Sequence, residues 1–124
     1  DASAPGIVGR HLPPGGGRRV LARLAASGCL WRRRIAMVAT LEHIRQGELS
    51  NTSRLAERIP ADPEDLMHKA AGWMLREAGK RDAAALEAFL ERQAGRMPRT
   101  MLRYAIERLP PARRRAWLAV PRQT

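Results

Sequence analysis

The feature that most constrains this chain is a succession of helix-period segments cut at short intervals by Gly and Pro. β-branched residues are few and no stretch alternates with period two, so a sheet has little to build on. The breaks fall at Pro13-Pro14-Gly15-Gly16-Gly17, Ser27-Gly28, Gly47, Pro60 to Pro63, Gly79, Gly95 and Pro110-Pro111. Between them the pattern predicts helices at Ala4–Leu12, Gly17–Ala26, Leu30–Arg45, Thr52–Arg58, Glu64–Gly79, Asp82–Gln93, Pro98–Arg108 and Pro111–Ala119. The fold class is therefore all-α. The Pro/Gly run after Leu12 is short enough for an interhelical turn, and 124 residues suit one domain spanning 1–124.

The helices pair, and the pairs repeat. Superposing the segments that start at Leu30, Leu66 and Met97 places Met37, Trp73 and Tyr104 at one position. The separations of 36 and 31 residues lie in the range of stacked helical hairpins. Each second helix opens near a basic residue, Arg33, Lys69 or Arg99. This pattern predicts a short α-solenoid with the second helices lining one face, a plain helical bundle being the alternative.

The segment from Asp65 to Asp82, DLMHKAAGWMLREAGKRD, carries the most chemistry. At about 100° per residue, Lys69, Trp73, Arg76 and Lys80 fall within an arc of roughly 60°. Met67, Ala70, Ala71, Met74 and Ala78 share a separate apolar arc. A tryptophan placed only for packing belongs with those residues, and Trp73 sits in the basic line instead. Basic side chains hold phosphates and a flat indole covers a base or sugar. The alternative is a Trp half-buried at a helix seam, with Lys and Arg solvating its rim.

Charge points the same way. Lys and Arg number 23 against 12 Asp and Glu, a formal charge of +11, which favours a polyanionic partner through phosphate neutralisation. Only Lys69 and Lys80 are lysines; a GC-rich coding sequence accounts for Arg over Lys, but not for base over acid. Cys29 is the single cysteine, so neither an intrachain disulfide nor a Cys-based zinc cluster is expected. His11, His43 and His68 lack ligand spacing and read as surface or seam histidines, so no metal or other cofactor is expected. No apolar run reaches the ~18 residues of a membrane span, and no secretory signal is evident. A cytoplasmic location is the default, with no membrane partner or obligate protein partner implied. Because the chain begins with Asp1 rather than Met, it reads as a fragment or a processed product.

At this point the residues carry a family resemblance. LMHKAAGWMLREAGKRD followed by MPRTMLRYAIERL is similar to the C-terminal half of AlkD-type DNA alkylation repair proteins, DNA glycosylases built from HEAT-like repeats. LWRRRIAMVATLEHIRQGEL resembles the preceding repeat. DASAPGIVGRHL resembles the segment that starts at the last Asp of the family's W-D-L-V-D motif and continues D-x-x-A-P-x-x-[LV]-G, here Asp1, Ala4, Pro5, Val8 and Gly9. The similarity runs from Asp1 to about Leu118, and the expected N-terminal repeats and motif Trp are not in the chain.

The resemblance implies that Asp1 is the catalytic carboxylate, that Trp73 lines the lesion site and that Arg34 lies against the DNA backbone. Arg76 falls beside Trp73 in the same W-x-L-R-E run, and Lys69 and Lys80 complete the basic line. The implied partner is duplex DNA with alkylated bases, and the implied reaction is excision of cationic N3- or N7-alkylpurines without flipping into a deep pocket. The residue types suit that chemistry: the base is already a good leaving group, so one carboxylate suffices to stabilise an oxocarbenium-like sugar. Arg34 shares a helix face with Val38 and Leu41, a costly place for a charge unless a phosphate or an acid such as Glu42 meets it.

Other charged segments read more simply. Arg113-Arg114-Arg115 reads as a solvated C-terminal face, and Asp62, Glu64 and Asp65 as capping and helix-dipole residues. Two further functions compete with the glycosylase: a non-catalytic DNA-binding solenoid and a helical-repeat protein-interaction module.

Overall fold

The computed structural model describes residues 18–123. These residues form α1 (Arg18–Ala25), α2 (Leu30–Arg45), α3 (Ser50–Ala56), a 3-10 turn (Ile59–Ala61), α4 (Asp65–Arg81), α5 (Ala83–Gln93), α6 (Arg99–Ala105) and α7 (Pro111–Leu118), with no strand among them. The helix expected over Ala4–Leu12 lies outside the described residues. No helix here is long and apolar enough to cross a membrane.

α4 is the hub. It packs against α2 on one side and α6 on another, and also meets α3, α5 and the 3-10 turn, while α1 packs on α2 and α3. Its apolar arc does this work, since Met67, Ala70, Ala71, Met74 and Ala78 are all buried together with Leu75. Around them lie Met37, Val38 and Ile44 from α2, Phe89 and Leu90 from α5, and Met101 and Leu102 from α6. Each large apolar side chain fully buried in this way contributes about 1.5–3 kcal/mol.

Helix ends differ from the sequence expectation where tertiary contacts override a local break. Gly79 does not stop α4, which runs on to Arg81. Leu86 of α5 packs directly onto Gly79, where an added Cβ would lie 2.5 Å from Leu86 Cδ2. The turn falls instead at Asp82, whose backbone is extended and whose carboxylate accepts the Ala85 N–H at 3.2 Å to cap α5. α3 begins at Ser50 and ends at Ala56, two residues earlier at each end than expected, with the 3-10 turn occupying the Pro60 region. α6 ends at Ala105 rather than Arg108.

Gly47 does end α2. At φ +88 it lets the Gly47 N–H reach Ile44 O and the Glu48 N–H reach His43 O, both at 2.9 Å, the paired bonds of a Schellman turn. His43 is buried at the α2–α3 seam, with the Asn51 side-chain nitrogen 3.2 Å from its Nδ1. His68 is half-buried at the start of α4, its Nε2 2.7 Å from Asp62 O. Both meet the expectation of seam histidines.

Candidate nucleic-acid interface

Because one face of α4 is committed to the core, the residues displaced around the helix from it emerge between α2 and α6. There Arg34 of α2, Leu66, Lys69, Ala70, Trp73 and Arg76 of α4, and Tyr104 of α6 line a cleft of about 270 Å³. Trp73 is half-buried and packs against the edge of the core, leaving part of its indole in the cleft. Tyr104 is 38% exposed. Gly72 sets the separation of the two aromatic-bearing helices. A Cβ there would stand 2.5 Å from Tyr104 Cβ and 2.6 Å from Met101 O, so α4 and α6 approach as closely as backbones permit. A mid-helix glycine costs about 1 kcal/mol relative to Ala, and this close crossing offsets it.

Two of the cations of the cleft, Lys69 and Arg76, are paired with acids. Lys69 Nζ lies 3.3 Å from Asp65, a carboxylate 60% exposed. Arg76 donates through Nη1 to Glu107, also 60% exposed, and its Nε sits 3.8 Å from Glu77. That Nε is buried and without a hydrogen-bond partner. The Arg34 guanidinium lies 5.7 Å from the Trp31 ring centroid, within cation–π range. The Lys69–Asp65 pair, 46% and 60% exposed, stands in high dielectric and contributes little to stability, and Glu107 stands mostly in water although Arg76 itself is largely shielded. A phosphate oxygen can therefore replace the carboxylates at modest cost.

Of the residues singled out from sequence, Arg34, Lys69, Trp73 and Arg76 meet in this cleft. Lys80 does not line it; it stands further along α4, paired with Glu77 at 3.3 Å. Asp1 lies outside the described residues. Sequence reasoning did not select Tyr104 or Leu66 as site residues, although superposing the repeats had already matched Tyr104 with Trp73.

The same superposition misplaced α2. Met37 is buried, and Arg33 turns away from the cleft into an ion pair with Asp62, with Nε–Oδ2 at 2.8 Å and Nη2–Oδ1 at 3.3 Å. The cleft-facing cation of α2 is thus Arg34, one residue later than the superposition gives. Met37, Arg33 and Asp62 instead border a second cavity of about 450 Å³ between α1, α2, the 3-10 turn and the start of α4. Asp62 is accordingly a brace rather than a plain cap, although it also accepts the Glu64 N–H at 3.0 Å.

Arg113 likewise is more than a solvated charge. It pairs with Glu87 at 2.5 Å, which also accepts the Trp117 indole N–H at 3.1 Å, and so fastens α7 to α5. Arg99 donates to Leu118 O at 2.9 Å. Among the described residues no three His, Cys, Asp or Glu side chains converge as a metal site would require.

Among the described residues, the cleft between α2, α4 and α6 thus gathers aromatic and cationic side chains on an all-helical domain. The family model described as DNA alkylation repair enzyme matches residues 1–109, and the chain belongs to that family. Its membership supports a role in DNA alkylation repair. No curated protein and no solved structure matches the chain.

Proposed function

We propose that the chain is an AlkD-type DNA glycosylase, or the C-terminal part of one, that hydrolyses the N-glycosidic bond of cationic N3- or N7-alkylpurines in duplex DNA. The helices would form a HEAT-like α-solenoid whose second helices, α2, α4 and α6, face the DNA. The packing of α4 between α2 and α6 supports that arrangement. The observation carrying the functional reading is the convergence of Arg34, Lys69, Trp73 and Arg76 on one cleft, in a chain whose residues 1–109 match the family model.

In this reading Arg34, Lys69 and Arg76 hold backbone phosphates, and Trp73 covers the nucleotide carrying the lesion. The glycosidic bond breaks with its electron pair passing to the purine, which leaves neutral. The sugar becomes cationic, and the Asp1 carboxylate stabilises it and orients the water that adds to the anomeric carbon and releases a proton. The leaving base needs no protonation, so a single carboxylate serves.

The test is release of free alkylpurine from methylated duplex DNA, with the family's W-D-L-V residues placed ahead of Asp1 so that it lies within the chain. Asp1→Asn is expected to slow excision ~10²–10³-fold, the loss typical of one transition-state stabiliser, with duplex affinity nearly intact. Trp73→Ala is expected to lower both the rate and the preference for lesions. Full excision by the Asp1→Asn protein would overturn the catalytic assignment. Duplex binding without base release by the parent protein would favour a non-catalytic DNA-binding solenoid.

A further inference from the structure

α7 lies beyond the residues that match the family model, and it is fastened to the rest of the domain at several points. Besides the bonds from Arg113 and Trp117 to Glu87 and from Arg99 to Leu118 O, Arg122 donates to Met97 O. The Gln123 N–H donates to Gly95 O at 2.8 Å, and Leu109, Trp117 and Leu118 pack on the core. A side chain carried by α7 therefore keeps a fixed place beside α6.

Between α6 and α7 this docking leaves a further depression of about 450 Å³, lined by Arg103, Ile106, Glu107, Arg114 and Leu118. Its charges do not balance within the fold. Arg114 is half-buried, and among the described residues its guanidinium has one bond, from Nη1 to the backbone carbonyl of Leu109 at 2.8 Å. Arg103 is exposed and has no ion pair among the described residues. The one acid of the lining, Glu107, is already bonded to Arg76 of the cleft. A partly desolvated guanidinium that meets only a carbonyl lacks the counter-charge to offset its lost hydration. The depression is thus a place for an anion.

Glu107 also indicates where that anion comes from. It lines this depression and binds Arg76 in the cleft, so the two sites adjoin through one side chain. A DNA strand carries a phosphate every ~3.4 Å along the helix axis, so a backbone that reaches Arg76 has further phosphates to offer on the α7 side of Glu107. We propose that Arg103 and Arg114 form a second phosphate site for the same duplex, extending the DNA track from the cleft across α6 onto α7. The inference rests on the DNA-binding reading above and requires no base to leave the stack. Such contacts do not read the base. They add affinity for any duplex and hold it in register on the cleft.

The experiment measures duplex affinity against salt for the parent chain, Arg103→Gln, Arg114→Gln and the double variant. It is repeated on duplexes in which one backbone linkage at a time is an uncharged methylphosphonate. Each lost contact is expected to lower the slope of log K against log salt concentration by ~0.9, so the double variant should fall by about one to two units. At least one neutral linkage that weakens binding by the parent should have no effect on Arg103→Gln, and it should differ from those silenced in Lys69→Ala/Arg76→Ala. The ratio of affinities for methylated and unmodified duplex should change less than about twofold, because backbone contacts do not read the base. Arg103 is exposed, so Arg103→Gln tests the site even if the Arg114 variant melts lower.

An unchanged slope in Arg103→Gln, with the same sensitive linkages as the parent, would overturn the proposal and leave the cleft reading in place. So would silencing of only those linkages that Lys69→Ala/Arg76→Ala also silences, because the two arginines would then act through the cleft. If the parent chain bound no duplex, the DNA-binding reading would fall first, and this inference with it.

Discussion

Arg33 and Arg34 are neighbours in sequence and serve opposite sides of the molecule. Arg33 points into the cavity beside α1 and is bound in a two-pronged ion pair to Asp62, the side chains only 15% and 10% exposed. A third hydrogen bond runs from its Nη1 to Ser27 O at 3.1 Å. Arg34, about 100° further round α2, lies in the open cleft with Lys69, Trp73 and Arg76. The first site is closed upon itself, each charge meeting its complement inside the fold. In the second, Lys69 and Arg76 meet Asp65 and Glu107, carboxylates that stand mostly in water, and the one shielded contact, Arg76 Nε to Glu77, is long at 3.8 Å. The contrast separates a structural use of arginine from a binding use more clearly than charge alone does, because water and phosphate can compete for the second set and not for the first.

The largest effect that follows is on stability. Arg33→Ala leaves the Asp62 carboxylate largely buried without its cation and is expected to cost about 3 kcal/mol, the low end for breaking a buried pair on one side. Urea unfolding should register this as a lower midpoint at unchanged slope. Replacing both partners, Arg33→Met with Asp62→Leu, should recover much of the loss. If Arg33→Ala proved neutral, the pair would be no more structural than those at the cleft.

A smaller effect is expected at the cleft rim. Glu107 holds Arg76 in the absence of DNA and places a negative charge where a phosphate would sit. Glu107→Gln is expected to tighten duplex binding about two- to fivefold, since an exposed pair contributes up to about 1 kcal/mol, with little change in melting temperature. Weaker binding in that variant would mean that Glu107 positions Arg76 for DNA rather than competing with it.

The helical class, most helix limits and the buried arc of α4 were legible in the sequence because they follow from local periodicity and from Pro and Gly. So was the gathering of Lys69, Trp73 and Arg76, which share one face of one helix. What sequence did not reveal depends on how helices meet. Gly79 reads as a stop, but it is where Leu86 packs. Arg33 and Arg34 are equivalent in composition, and which neighbours each meets depends on how α2 packs, Arg33 against Asp62 in the turn before α4 and Arg34 in the cleft. Tyr104 joins the cleft because Gly72 allows α6 to approach α4, a contact between residues 32 positions apart. The repeat superposition held the clue to Tyr104, while on α2 it pointed to Arg33 where Arg34 faces the cleft.

The central claim is that the cleft between α2, α4 and α6 is where duplex DNA binds. Its most direct test is the slope of log K against log salt concentration for duplex binding, measured for the parent chain and for Lys69→Ala/Arg76→Ala. Each phosphate contact contributes ~0.9 to that slope, so the double variant should bind more weakly, with a slope reduced by about one to two units. A slope identical to the parent's, in a variant that remains folded, would contradict the account and place the DNA on another face.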